Sequence, residues 1–400
     1  MYEPFLTEAY PSFPFPSPSS SSSSSSWTSS PNLPQVLFGF PIYQSVVKRL
    51  AAVATELGPG ALSLMIDHLE QLSLLANVFK ISGHAPLVFL KTDTAYARAG
   101  VVPGSAACAS LIQGLLDLEQ RGACVFHGAY AHAGHTVREH EEWEAMSYLA
   151  VEFIALQKVA AVVRAKAPGH QFVLSVGATP QTTTIQHPAF GADPADVPEM
   201  TTDGRQAPPT LLVEQLFDDL KGEGLELEVH AGVYPTLDLQ QLSTHARDST
   251  LMKADDIAIS ILAEVASVYP ERGRDKTTEA LINAGSLALG RESLQNHGPP
   301  PREQYNGWGI VMPWMVDNVV PGEWFPSVHG GWQVGRMSQE HGILVWKGSR
   351  HVEAPLQVGQ RVRVWPNHSC IAGAGFSQYF IIDSRKGDEV IDVWPRWRGW

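Results

Sequence analysis

The chain has 400 residues, 44% of them hydrophobic, with 28 basic side chains against 41 acidic ones and a formal net charge of −13. That length holds two or three domains of about 150 residues and can bury a large core. The acidic balance argues against nucleic acid and anionic membranes as partners, because both select a basic surface.

Residues 1–35 stand apart. Prolines recur at Pro11, Pro14, Pro16 and Pro18, and an unbroken serine run covers Ser19–Ser26. Such a composition buries too little apolar surface to offset chain entropy, so the segment is expected to be disordered, either a tail or an erroneous gene start. No basic residue precedes Lys48, which argues against a signal or transit peptide. Three cysteines (Cys108, Cys124, Cys370) are too few for a disulfide framework, so a cytoplasmic location is expected. No stretch reaches the roughly 18 uncharged apolar residues of a membrane span. The longest candidate, Ile257–Tyr269, is broken by Glu264.

From Val36 onward short apolar runs alternate with amphipathic helical patterns. The runs are Val36–Phe40, Leu62–Ile66, Pro86–Leu90, Ala123–Gly128, Phe172–Gly177 and Leu225–His230. Helical spacing falls at Ser45–Leu57, Ile66–Lys80, Ser105–Glu119, Glu139–Lys166 and Thr210–Lys221. Mostly apolar runs of this length suit parallel strands buried on both faces. Their alternation with helices predicts an α/β fold over 36–274, with a (β/α)8 TIM-type barrel as the leading architecture. The stretch from Ile257 reads equally as a seventh strand or as a helix. Beyond residue 275, alternating runs at Gly309–Met312, Gly342–Trp346, Arg361–Trp365, Gln378–Asp383 and Glu389–Val393 predict a C-terminal antiparallel β domain over 275–400.

Polar and small residues gather just after the strand-like runs, where a barrel of this kind builds its sites. Lys91–Gly100 offers Arg98 as a bidentate clamp for a carboxylate or phosphate, or as a surface residue capping a loop. His127–His135 holds three histidines among glycines and alanines, which suits a metal, a flat ligand near the backbone, or a solvated loop. Ser175–Pro180 and His230–Tyr234 present backbone N–H groups with little side chain in the way, and Thr179 adds a hydroxyl. Both fit a phosphate cradle or an ordinary tight turn. Farther on, Pro366-Asn367-His368-Ser369-Cys370 ends a strand-like run. Period-two alternation puts His368 and Cys370 on one face, as half of a zinc shell or as a packed histidine beside a buried cysteine.

Taken together and in this order, the segments resemble the eukaryotic, fungal-type D-serine dehydratases of the alanine-racemase-like (fold type III) pyridoxal-phosphate enzymes. The resemblance runs from about Val36 to Trp400. It rests on Leu37–Pro41, Lys91–Gly100, Tyr130–His135, Ser175–Pro180, His230–Tyr234, Glu340–Gly342, Pro366–Cys370 and the closing Trp394–Trp397. It implies pyridoxal 5'-phosphate in the barrel mouth, with Tyr130 and Arg98 nearby and Thr179, Gly232 and Val233 at the phosphate. It implies His368 and Cys370 as zinc ligands, a D-amino acid as substrate, and a homodimer. The implied reaction is α,β-elimination of D-serine to pyruvate and ammonia. A D-threonine-aldolase-like lyase shares the architecture.

The family's Schiff-base lysine lies on the first barrel strand, and here residues 1–47 contain no lysine. The six runs are therefore expected to be the second to seventh strands of an incomplete barrel, and a catalytically dead binding protein is an alternative reading. Val137 replaces a second cofactor-loop tyrosine, Val233 an asparagine, and Ala95 the glycine of an Asp-Thr-Gly signature.

Overall fold

The computed structural model describes residues 35–396, except 139–140, 202–203, 205, 248–250, 296–305 and 313–330. The Ser/Pro-rich segment 1–34 and Trp397 lie outside the described residues.

Six strands form one parallel sheet in chain order: β1 (Val36–Pro41), β2 (Leu62–Ile66), β3 (Leu87–Lys91), β4 (Val125–Tyr130), β5 (Val173–Val176) and β6 (Glu226–Val229). Each strand pairs only with its sequence neighbours in that sheet. The helices α1 (Val47–Leu57), α2 (Gln71–Ser82), α3 (Ala106–Gln120), α4 (Glu142–Lys166) and α6 (Thr210–Gly222) fall between the strands, close to the predicted spans. The short α5 (Thr179–Thr183) follows β5 directly.

Strand alternation sorts the two faces. Leu64, Ile66, Val88, Leu90, Ala129, Leu174 and Val176 pack with the helices in one large core. Met65, Phe89 and Val173, with Leu37 and Tyr130 against them, form a small separate cluster on the opposite face. Crossovers of one hand between successive neighbours put every helix on the same side, which is barrel winding rather than double winding. The longest helix, α4, is apolar enough by mean hydropathy to cross a membrane. Its Met146, Leu149, Phe153, Leu156 and Val163 are fully buried, so that apolarity goes into the core.

All residues of β2, β3 and β5 are buried, whereas β1 and β6 at the sheet edges are largely exposed. Among the described residues the parallel sheet has six strands and two open edges. Glu226 and Glu228 line the β6 edge, and charge there discourages edge-to-edge pairing.

The stretch after Ile257 is a strand and not a helix, but it lies outside the parallel sheet. It gives β7 (Ile261–Tyr269), which pairs antiparallel with β8 (Glu279–Ile282) and with Arg361–Pro366. With Gly309–Val311, Trp332–Met337 and Gly342–Trp346 these strands close a six-stranded antiparallel barrel. The expected boundary at 274/275 thus cuts this second barrel, whose first strand starts at Ile261. Burial along β7 alternates, but its outward positions include Leu262 and Ala266, so hydropathy hides the period.

Candidate active site at the carboxyl ends of the parallel strands

Sheet register assembles a row of polar side chains. Lys91 pairs with Tyr130, Tyr130 with Ser175, and Ser175 with Glu228. Partners in register share a face, and two residues earlier on β3 and β5 that face carries Phe89 and Val173. The row is therefore a polar rim above an apolar floor, at the strand ends where this fold builds its chemistry.

Tyr130 stacks on His230 with ring centroids 4.2 Å apart and planes 10° from parallel. Ser175 Oγ donates to Glu228 at 2.5 Å and lies 3.2 Å from His230 Nδ1. Among the described residues His230 Nε2 is buried with no hydrogen-bond partner. Lys91 Nζ donates to Thr92 O at 3.1 Å and sits 5.5 Å from the Tyr130 ring centre.

Burial sets the charges here. It lowers the Lys91 ammonium to about 8, with Glu152 opposing the shift. Glu152 projects from α4 and accepts from Thr94 and Gln181. Burial raises its carboxyl to about 7 against those bonds and against Lys91. His132 falls to about 4 and His230 to about 3, both chiefly by burial, so both imidazoles are neutral at physiological pH. The same desolvation pushes the Tyr130 phenol up, so it stays protonated.

The loop after β3 brings Arg98 in. Its guanidinium lies over the Tyr96 ring at 4.7 Å, and its charge acts on Lys91, Tyr130 and His132. Ala95 adopts φ +76°, left-handed backbone that suits glycine better than alanine. Ala95→Gly is expected to stabilise the fold by about 1 kcal/mol, read as a higher urea midpoint at unchanged slope.

The two cradle candidates meet. Thr179 Oγ1 accepts the Val233 N–H at 3.0 Å, which leaves its own hydrogen to donate. Gly177 has φ +148°, and a Cβ there would lie 2.2 Å from His230 O, so only glycine lets these loops touch. Gly232, by contrast, faces open space, with nothing within 4 Å of a Cβ built there. The Val233 N–H expected to face a phosphate is already engaged by Thr179. The cradle therefore consists of the Thr179 hydroxyl and the space at Gly232.

His368 and Cys370 do not sit on a strand. The strand ends at Pro366; His368 caps a short helix (Ser369–Ala374) and Cys370 lies in its first turn, exposed. The turn is imposed from the parallel unit. Buried Asp238 accepts from Ser369 N at 2.9 Å and from Gln241 N at 3.0 Å, capping α7 (Leu239–Thr244) as it does so. Thr236 Oγ1 meets Ser369 Oγ at 3.0 Å, and Gln240 N donates to Asn367 O at 3.0 Å. Since Leu237 N in turn donates to Val233 O, the histidine–cysteine turn is tied directly to the cradle loop.

Within that turn His368 Nδ1 bonds Glu292 at 2.7 Å. Burial opposes its protonation, but the bonds to Cys370 and Glu292 outweigh burial and hold the imidazole up at about 9. A carboxylate on one ring nitrogen is the usual orienting arrangement for a metal-binding histidine. Among the described residues no group of three or more His, Cys, Asp or Glu is arranged around a common point, so His368 and Cys370 stand as a pair and not within a larger ligand cluster.

Of the residues singled out in the sequence, Tyr130, Arg98, Thr179, Gly232 and Val233 lie on the loops and strand ends described above, and His368 and Cys370 lie in the turn tied to them; Glu152, Asp238 and Glu292, whose partners are distant in the chain, carry no such local signal.

Residues 258–382 match a family model described as "Putative serine dehydratase domain". The chain is similar to the D-serine dehydratase of Schizosaccharomyces pombe, 31% identical over 92% of this chain and 74% of the relative. It is also similar to that of Saccharomyces cerevisiae, at 29% over 84% and 68%. Among solved structures, D-threo-3-hydroxyaspartate dehydratase from Delftia sp. HT23 superposes with a TM-score of 0.63 at 22% identity, covering 91% of this chain and 79% of that one. A cysteine-to-alanine variant of that enzyme has been solved in the metal-free form.

Proposed function

The chain belongs to the D-serine dehydratase family, and on that premise we propose that it converts D-serine to pyruvate and ammonia using pyridoxal phosphate and zinc. The observation that supports this reading is the junction of the two units: Asp238 and Thr236 grip Ser369, which fastens the His368–Cys370 turn to the loop that carries Val233.

The residues present fit both groups. The unpartnered His230 Nε2, the open space at Gly232 and the Thr179 hydroxyl suit a phosphorylated ring compound. A cysteine sulfur beside an imidazole fixed by Glu292 suits zinc. When bound, pyridoxal phosphate supplies an electron sink for the carbanion at Cα, and zinc supplies a Lewis acid for the departing hydroxide.

The chain's own contribution is position and polarity. Tyr130 and His230, stacked and uncharged, form one wall. Arg98 supplies a fixed positive charge beside them. His368 and Cys370 would hold the zinc, which would supply its Lewis acidity toward the substrate hydroxyl. Glu152, with its carboxyl at about 7, and Lys91, at about 8, are both tuned to exchange protons near neutral pH.

The full-length chain loaded with both groups is expected to form pyruvate from D-serine and not from L-serine, read by coupled lactate dehydrogenase. Glycine and acetaldehyde from D-threonine, with no pyruvate, would support an aldolase instead. No turnover of either by fully loaded protein would leave a binding protein.

A further inference from the structure

We propose that Glu152 is the positioning residue of the cofactor mouth, fastening the loops after β3, β4 and β5 to one another so that Arg98 and Thr179 keep a fixed spacing. The inference rests on the cofactor reading above and adds to it a residue that acts only through others.

Glu152 is 1% exposed on α4, among Leu149, Phe153 and Leu156 of the apolar core. A carboxyl in such a place is costly unless donors surround it. Three do, and each comes from a different loop. Thr94 Oγ1 donates from the β3 loop at 3.2 Å, the Ala133 N–H from the β4 loop, and Gln181 Nε2 from α5, which follows β5. Every donor stands a few residues from a group that faces the mouth. Thr94 opens the loop that carries Arg98, and Asp93 Oδ1 stiffens that loop by accepting from Ala97 N at 3.0 Å. Ala133 follows His132, whose Nδ1 lies 2.7 Å from Gly177 O on the next loop. Gln181 shares α5 with Thr179, and Thr182 beside it donates to His230 O at 2.8 Å. One carboxyl thus spans the guanidinium and the cradle, and a site keeps its affinity only while its groups keep their spacing.

The fastening reads a proton. Burial raises the closed carboxyl from 4.5 to about 7, and opening to water returns it toward 4.5. Opening therefore releases a proton and becomes easier as pH rises between those values. Gln181 Oε1 is buried with no partner among the described residues, so a neutral group at position 152 can donate to it once that amide turns over. The titratable neighbours are Lys91 from β3 and Tyr130 from β4, with Asp67, Asp93, Arg98, His132 and His135 beyond them and Tyr148 one turn earlier on α4. Lys91, lowered from 10.5 to about 8 by burial, acts above this window and with the opposite sign. All of them remain in Glu152→Gln, which isolates the one proton.

Hydrogen exchange of the full chain, corrected for intrinsic rates at each pH, reads the opening of segments 93–101, 131–138 and 178–186. Opening should rise about tenfold or more from pH 5 to pH 7 in all three together, and stay flat in Glu152→Gln. Calorimetry with 4-deoxypyridoxine 5'-phosphate, which has the ring and phosphate but no aldehyde, reads the mouth itself. Glu152→Leu should lose about tenfold in affinity for this probe, because three buried donors lose their acceptor. Its urea midpoint should stay at or above that of the unaltered chain, because a buried charge is gone. Glu152→Gln should bind within about twofold of the unaltered chain. Full affinity in folded Glu152→Leu overturns the proposal, and so does a pH 5–7 step that survives in Glu152→Gln; either leaves the cofactor reading standing. Failure of the unaltered chain to bind the probe sinks both.

Discussion

Alanine in place of His368 or Cys370 is expected to cut bound zinc from near one per chain to below about a tenth, and D-serine turnover by about a hundredfold or more. On the proposed zinc site each change would remove one of two protein ligands, and no cluster of three or more candidate ligands among the described residues offers a replacement. Glu292→Gln should act more mildly. It weakens the hold on His368 Nδ1 without removing a ligand, and metal affinity should fall about 10- to 100-fold. Metal analysis of dialysed protein separates the three. Unchanged zinc in both alanine variants would remove the metal assignment, whatever happened to activity.

Asp238→Ala should be the most destabilising change at the mouth, by about 3 kcal/mol. The carboxylate caps α7 through Gln241 N, and losing such a cap costs about 1 kcal/mol. Its other oxygen satisfies the buried Ser369 N–H, and stranding that donor adds about 1–3 kcal/mol. A stability loss alone could come from any buried aspartate. The distinguishing readout is zinc: because Ser369 lies between His368 and Cys370, the variant should weaken metal binding at temperatures where it remains folded. Asp238→Asn keeps an acceptor oxygen and should recover part of both losses. Zinc affinity that stays normal in folded Asp238→Ala would show that the turn holds its shape without the parallel unit.

These expectations differ in how far the chain alone could have carried them. The parallel strands and their helices follow from local hydropathy; each strand run and each helix predicted up to Leu225 lies within a few residues of its observed place. The family was legible for the same reason, since its motifs are short and keep their order. Val233 marks a departure whose cost the fold softens: it still contributes its N–H, although to Thr179 rather than outward. Ala95 departs at a visible cost, in backbone better suited to glycine.

By itself, then, the order of residues determined the α/β class, the strand and helix positions, the family, and the identity of the paired histidine and cysteine, because periodicity and motif spacing are properties of neighbours along the chain. Tertiary structure alone decided that β7 joins the second barrel, that His368 and Cys370 leave their strand, and that Lys91 is a buried amine near neutrality. Each of those outcomes is set by groups brought together from far away, as Asp238 is to Ser369 across 131 residues and Glu152 to Lys91 from another element. Desolvation and a long-range hydrogen bond have no period to read. They exist only once the chain has closed around them.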